Sequence, residues 1–189
     1  LTGIGRVQVT DVDRPWGRLN FNTLHWNLSG SYDERRAENQ IALASGALLF
    51  EDSSNLNTEL QGNAGFAGGK GFLVGGIGYK GTKIDTSNKA GFHTLMAESK
   101  NEHSEAIFGQ VEYSFTDRLK AVVAARVDES TLHDTQYSPK GSLVFAATPT
   151  QTFRVTYNEA FQVPNYSEFF LRVAAGAPIL AEEHVEEYV

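Results

Sequence analysis

The segment GIGYKG puts Gly76, Gly78 and Gly81 at the spacing of a dinucleotide-binding fingerprint. In that fingerprint the glycines lead a strand into a helix N-terminus that holds pyrophosphate. Here they sit inside an alternating strand pattern with no helical period after them, so they read as positions where neighbouring strands bend or approach closely. GGKG around Lys70 lacks both the hydroxyl residue after the lysine and the correctly spaced first glycine of a phosphate-binding loop, and it reads as a hairpin turn. His25, His93, His103, His133 and His184 stand apart from one another, with no i,i+4 pair and no HExxH arrangement. His93, His103 and His133 fall in long loops of one rim, the one place where a shared metal could gather ligands. No serine sits in a G-x-S-x-G elbow, and the carboxylates are scattered over polar faces where solvent reaches them. The expectation is no enzyme: no catalytic residue, no resident metal and no cofactor.

The composition narrows the class. The 189 residues suit one domain with a real core. A net charge of -7 without any basic stripe argues against a nucleic acid partner, because phosphate binding needs clustered Lys and Arg. The absence of cysteine removes disulfides, thiolate nucleophiles and Cys-based zinc sites together. No run approaches the roughly 18 apolar residues of a membrane helix, and LTGIGRVQVTDVD lacks the layout of a secretory signal. Neither absence bears on a membrane barrel, whose strands need only about 10 residues of alternating polarity. A mean hydropathy of -0.30 fits a soluble β protein and a porin-like wall alike.

The elements behind these residues share one period. In TFRVTYN, Phe153, Val155 and Tyr157 alternate with Arg154, Thr156 and Asn158; in RLKAVVAARVD, Leu119, Ala121, Val123, Ala125 and Val127 oppose Lys120, Arg126 and Asp128. Ile107, Val111, Tyr113 and Phe115 likewise oppose Gln110, Glu112 and Ser114, and Leu56, Leu60, Ala64 and Phe66 oppose Asn57, Glu59, Gln61 and Asn63. The pattern predicts an all-β antiparallel meander of about eight strands, near residues 20 to 32, 40 to 51, 55 to 66, 71 to 84, 103 to 115, 119 to 129, 137 to 148 and 152 to 160. Connections alternate between tight turns (AGGK, TDR, TPTQ) and longer polar loops, which is the asymmetry of a transmembrane barrel. Segments of about 10 to 13 residues exceed ordinary soluble strands and span about 25 Å of hydrocarbon when tilted. Tyr79, Tyr113, Phe115, Phe145 and Tyr157 are candidates for interface girdles. The pattern by itself leaves a soluble sheet open.

IFGQVEYSFTDRLKAVVAARVD, followed by YSPKGSLVFAATPTQTFRVTYNEAFQVPNYSEFFL, resembles the barrel region of TonB-dependent outer-membrane receptors over about residues 103 to 171. As in that family, a strand with FGQ turns at DRL and returns to R-x-D. A strand opened by SPK then turns at a Pro-containing hairpin, and the next ends in N-x-AF-x-x-P. The resemblance implies a 22-stranded transmembrane β-barrel in the outer membrane of a Gram-negative bacterium, with outer-membrane lipid outside. It further implies a plug domain and TonB as partners, and a small-molecule or metal-chelate substrate such as a siderophore-bound iron, a haem, cobalamin or a glycan. Residues 1–189 then form a partial barrel without the plug, a fragment whose EEHVEEYV (182 to 189) begins a further strand. Lys120, Arg126, Arg154 and Glu112 would face the lumen and meet plug or substrate, and loops near 85 to 103, 129 to 137 and 161 to 182 would sample substrate outside. The alternatives are a small self-contained eight-stranded structural or adhesive barrel and a soluble β-sandwich binding module.

Overall fold

The computed structural model describes residues 6–162 and Phe170. Its strands are β1 (Val7–Asp13), β2 (Trp16–Asn22), β3 (Trp26–Ala42), β4 (Leu48–Phe66), β5 (Gly71–Asp85), β6 (Lys100–Ser114), β7 (Leu119–Ser130), β8 (Gln136–Thr148) and β9 (Gln151–Asn158). All nine belong to one antiparallel sheet in the order β1-β3-β4-β5-β6-β7-β8-β9, with β2 also paired to β3. β1 lies against residues 36–42 of β3 and β2 against residues 27–33, so the two follow one another along a single edge. Between them stands Pro15, which has no N–H to give a ladder, although its carbonyl still accepts a bond from the Glu34 N–H at 3.0 Å. Nine strands therefore make a sheet eight positions wide.

The last four expected strands correspond to β6 to β9, with the tight turns at Thr116–Arg118 and Thr148–Gln151 where the sequence puts them. Upstream the boundaries differ. The expected strand at 40 to 51 instead contains the turn at 43–47, and the expected break near 52 is absent: β4 runs unbroken from Leu48 to Phe66, with Asp52, Ser53 and Ser54 each paired on both sides, because solvated polar residues can continue a ladder as well as end one. The expected strand at 20 to 32 is a hairpin. The Thr23 side chain accepts from the Trp26 N–H at 2.9 Å, and the Thr23 N–H donates to the Trp26 carbonyl at 2.8 Å. The strand at 7–13 is additional. The connections at 23–25, 67–70, 115–118 and 149–150 share one rim, while those at 43–47, 86–99 and 131–135 share the other. Most of the expected loop 161 to 182, and the strand start at 182 to 189, lie outside the described residues.

Register sorts the side chains into two faces. Phe21, Leu28, Leu60, Ile77, Ile107, Val127 and Tyr137 form one continuous cross-strand row. The adjoining row, on the opposite face, is Asn22, Asn27, Gln61, Gly76, Phe108, Arg126 and Ser138. No second layer covers the apolar face among the described residues: Ile107 is 60% exposed, Val123 63%, Phe153 63% and Val155 73%. Burying such side chains stabilises each by about 1.5 to 3 kcal/mol, so a sheet that leaves them bare to water forgoes its main driving force. On β4 the band runs from Leu56 to Phe66, about 33 Å along the strand and about 25 Å in height at a tilt near 40°. Phe66, Tyr113, Phe115, Phe145 and Phe153 cluster at its short-turn edge; Phe66 stacks on Tyr113 at 6.1 Å and Tyr113 meets Phe115 edge-on at 5.2 Å. The band is also stepped. It begins on β3 at Trp26, in the row of Ala125, but on β9 at Phe153, in the row of Leu119. Strands inclined to a level band produce this offset.

Buried apolar residues gather instead at the long-loop end, where Ala37, Ala42, Leu49 and Met96 are nearly inaccessible. Residues 86–99 fold back there: the Thr94 hydroxyl accepts from the Phe50 N–H at 2.9 Å and donates to the Thr86 carbonyl at 2.8 Å, and the Met96 N–H reaches the Thr86 hydroxyl at 3.1 Å. At the loop's root the Asp85 carboxylate accepts from the Ser87 hydroxyl at 2.6 Å and the Ser87 N–H at 2.9 Å, which holds its pKa below the usual carboxylate range.

Gly71 and Gly76 stand where their neighbours approach most closely. A Cβ on Gly71 would stand 2.3 Å from the Phe66 ring, and one on Gly76 would stand 2.6 Å from the Leu60 carbonyl and 2.5 Å from the Phe108 ring. Each glycine lets an aromatic partner lie flat across it. Gly76→Val is expected to destabilise the folded wall by about 1 to 3 kcal/mol through overpacking. Gly141→Val, where a Cβ meets nothing within 4 Å, should leave it nearly unchanged. Urea unfolding of the detergent-folded protein measures both.

Candidate functional site

The polar face carries the residues that can bind anything. Lys120, Arg126, Arg154 and Glu112 all project from it: Lys120 opposes Ser114, Arg126 opposes Phe108, Arg154 opposes Val144 and Glu112 opposes Val122. Two of the cations are already neutralised. The Lys120 ammonium lies 2.8 Å from a Glu112 carboxylate oxygen. Arg126 donates three bonds of 2.7 to 3.0 Å to Asp128, and its guanidinium stands 5.8 Å above the Phe108 ring. Asp128 is buried, so a bidentate partner is what makes its charge tolerable there. Arg154 has no ion pair among the described residues, but it sits alone on the edge strand β9.

A different group is brought together further along the same face. Arg18, Ser31, Asn57, Lys80, Ser104 and Ser130 occupy one cross-strand row from β2 to β7. All but Ser130 line a groove of about 520 Å³, together with Ser29, Glu59, Gly78, Ala106 and Arg126. The small residues Ser29, Ser31, Gly78, Ser104 and Ala106 leave it open; Arg18, Asn57, Glu59, Lys80 and Arg126 are its long side chains. Neither Arg18 nor Lys80 makes an ion pair with any described residue. The row lies next to Leu19 and Tyr79 on the outward face, close to the long-loop edge of the apolar band.

Arg18 and Lys80 escaped the sequence reading for identifiable reasons. Arg18 belongs to a strand that becomes visible only once the turn at 23–25 separates it from β3. Lys80 lies inside GIGYKG, where the glycines drew the attention. Parity alone could have put both on the polar face, since Arg18 alternates with Leu19 and Phe21, and Lys80 with Ile77 and Tyr79. Their convergence needs the register, which no local pattern contains.

The loop histidines are not brought together. His103 lies on the outward face, its ring stacked on Tyr79 at 6.4 Å. His133 bonds through Nδ1 to the Asp134 carbonyl at 2.8 Å and meets the Phe161 ring at 5.6 Å, while His93 bridges to Ser87. Among the described residues no three of His, Cys, Asp and Glu are close enough to share a metal.

The charge pairs differ in exposure and should differ in worth. The half-exposed Lys120 and Glu112 pair should show a coupling of only about 0.2 to 1 kcal/mol in a Lys120→Met, Glu112→Gln double-mutant cycle. Asp128→Asn should cost about 1 to 3 kcal/mol, because Arg126 loses its charged acceptor in a buried position. Unfolding midpoints in detergent read both.

A family model described as TonB dependent receptor-like, beta-barrel, matches residues 6–188. No curated protein matches the chain, and neither does any solved structure.

Proposed function

The chain belongs to the TonB-dependent receptor β-barrel family, and on that premise we propose that it forms part of the wall of an energy-coupled outer-membrane receptor for a scarce nutrient. Members of this family are outer-membrane transporters rather than enzymes, and their complete proteins work with a plug and with TonB. The finer reading is that the substrate is a small molecule or metal chelate, such as a ferric siderophore, a haem, cobalamin or a glycan, which passes the polar face on its way inward. Lys120, Arg126, Arg154 and Glu112 then face the lumen, where plug or substrate meets them, and the loops at 86–99 and 131–135 stand on the extracellular rim.

One observation carries this reading: an uncovered apolar band of about membrane thickness on one face of β4, with the outward charges Glu105, Glu129, Lys83 and Asp85 lying from the row of Ile107 toward the long-loop rim. The sheet's two ends support a larger barrel. Among the described residues β1 with β2 at one end and β9 at the other are not bonded to each other, and no further strand pairs with either edge, as in a sheet that continues into a larger barrel. A self-contained eight-stranded barrel needs those ends joined, and a sandwich module needs a second sheet over the apolar band. The described residues supply neither.

The test is made with the full-length gene product in an outer-membrane host deprived in turn of iron, haem, cobalamin and complex glycans. Growth on one of these should depend on the gene and collapse when the proton gradient is dissipated. Ile107→Arg, at mid-band, should cost about 2 to 4 kcal/mol of membrane stability and deplete the protein from the outer-membrane fraction. Uptake indifferent to the gradient, or a wild-type protein recovered from the soluble fraction, contradicts the reading.

A further inference from the structure

Resting on the wall reading, we propose that the groove spanned by Arg18 and Lys80 is a binding site for an anionic, hydroxyl-bearing solute. Its volume of about 520 Å³ falls in the range of small-molecule sites, of order 300 to 1,000 Å³. The space exists because Gly78, Ala106 and three serines stand where longer side chains would fill it. The Gly78 backbone does not require glycine: a Cβ there would meet only the Thr58 carbonyl at 3.8 Å and the Ala106 Cβ at 3.9 Å, ordinary contacts. This glycine leaves room without relieving a clash, unlike Gly71 and Gly76.

The charge of the groove selects the ligand. Arg126 is spent on Asp128, whereas Arg18 and Lys80 have no carboxylate partner among the described residues. They stand three strands apart, roughly 14 Å between backbones, and their long side chains can converge on one ligand from opposite walls. Ser31 and Asn57 lie between them in the row and Ser104 just beyond Lys80, offering neutral donors and acceptors. Glu59 adds one acceptor for a ligand hydroxyl. A solute with an anionic group and several hydroxyls satisfies every one of these side chains; a purely apolar or cationic one leaves the two cations unanswered. The position agrees, since the row lies toward the long-loop rim, the side that faces the outside in barrels of this kind.

Glucose 6-phosphate and citrate serve as probes, with glucose as the neutral control, titrated calorimetrically into the full-length receptor in detergent. At least one anionic probe should bind at least tenfold more tightly than glucose and weaken as salt rises. Arg18→Gln and Lys80→Gln should each weaken it tenfold or more, and Gly78→Leu should abolish it by filling the groove. These variants should keep the heat-modifiable fold and the outer-membrane location. Absence of saturable binding, equal affinity for glucose, or binding untouched by Gly78→Leu overturns the proposal. A wild-type protein that fails to fold into detergent or membranes would instead defeat the wall reading on which it rests.

Discussion

Hydrocarbon offers a peptide group no hydrogen-bond partner, and the rest of this structure follows from that deficit. A backbone that enters a bilayer must satisfy every N–H and C=O internally, which strands achieve only by pairing on both sides. The ladders from β3 to β8 do this without a gap across the apolar band; the register shifts lie outside it, near Asp11 and Gln40 and beside the short turn at Ala146. Once pairing sets the backbone, the period of two decides everything else. One face must resemble lipid across the band, and the alternate residues of each strand are then delivered to the other face without further design.

The polar face solves a second problem in two ways. Where charges crowd, as in Lys120 with Glu112 and Arg126 with Asp128, they neutralise each other within the wall. Elsewhere Asn, Gln and Ser line the face from β2 to β4, groups that bond water, a neighbour or a passing solute at similar cost. Arg18 and Lys80 follow neither pattern, because they retain full charge beside an open groove. At the long-loop end the sheet rises beyond the band, and most of the buried apolar residues gather there, with Leu49 and Met96 beneath the folded-back loop. Membrane support ends where a water-excluding core begins.

Much of this was legible in the sequence, and the rest was hidden for physical reasons. The faces of β6 to β9 follow directly from the alternation around Ile107, Val123, Leu143 and Val155, because lipid contact enforces the period on every residue. Turns rich in Gly, Pro and Asp marked the short rim. Beyond the band that enforcement lapses: Asp52 to Ser54 are polar on both faces and looked like a turn, though β4 carries them straight through. The hairpin at Thr23 was masked because Leu24 falls in phase with Trp26 and Leu28, so that a slip of one residue after Phe21 is the only local mark of the turn. The candidate charges alternate with the apolar residues in the sequence, yet which of them are paired depends on diagonal contacts such as Glu112 with Lys120. Which of them share a groove depends on register across four strands.

The central claim is that alternate residues of one continuous strand face lipid and water. Nitroxide labels placed singly at residues 56 to 66 of β4 test it most directly, in the full-length protein reconstituted into bilayers, by comparing collision rates with dissolved oxygen and with a water-soluble nickel chelate. Even-numbered positions, from Leu56 to Phe66, should favour oxygen and show a maximum near Leu60 and Gly62. Odd-numbered positions, such as Asn57, Glu59 and Gln61, should favour nickel or be shielded from both. A profile without a period of two, or nickel access equal on both faces, would contradict the membrane wall.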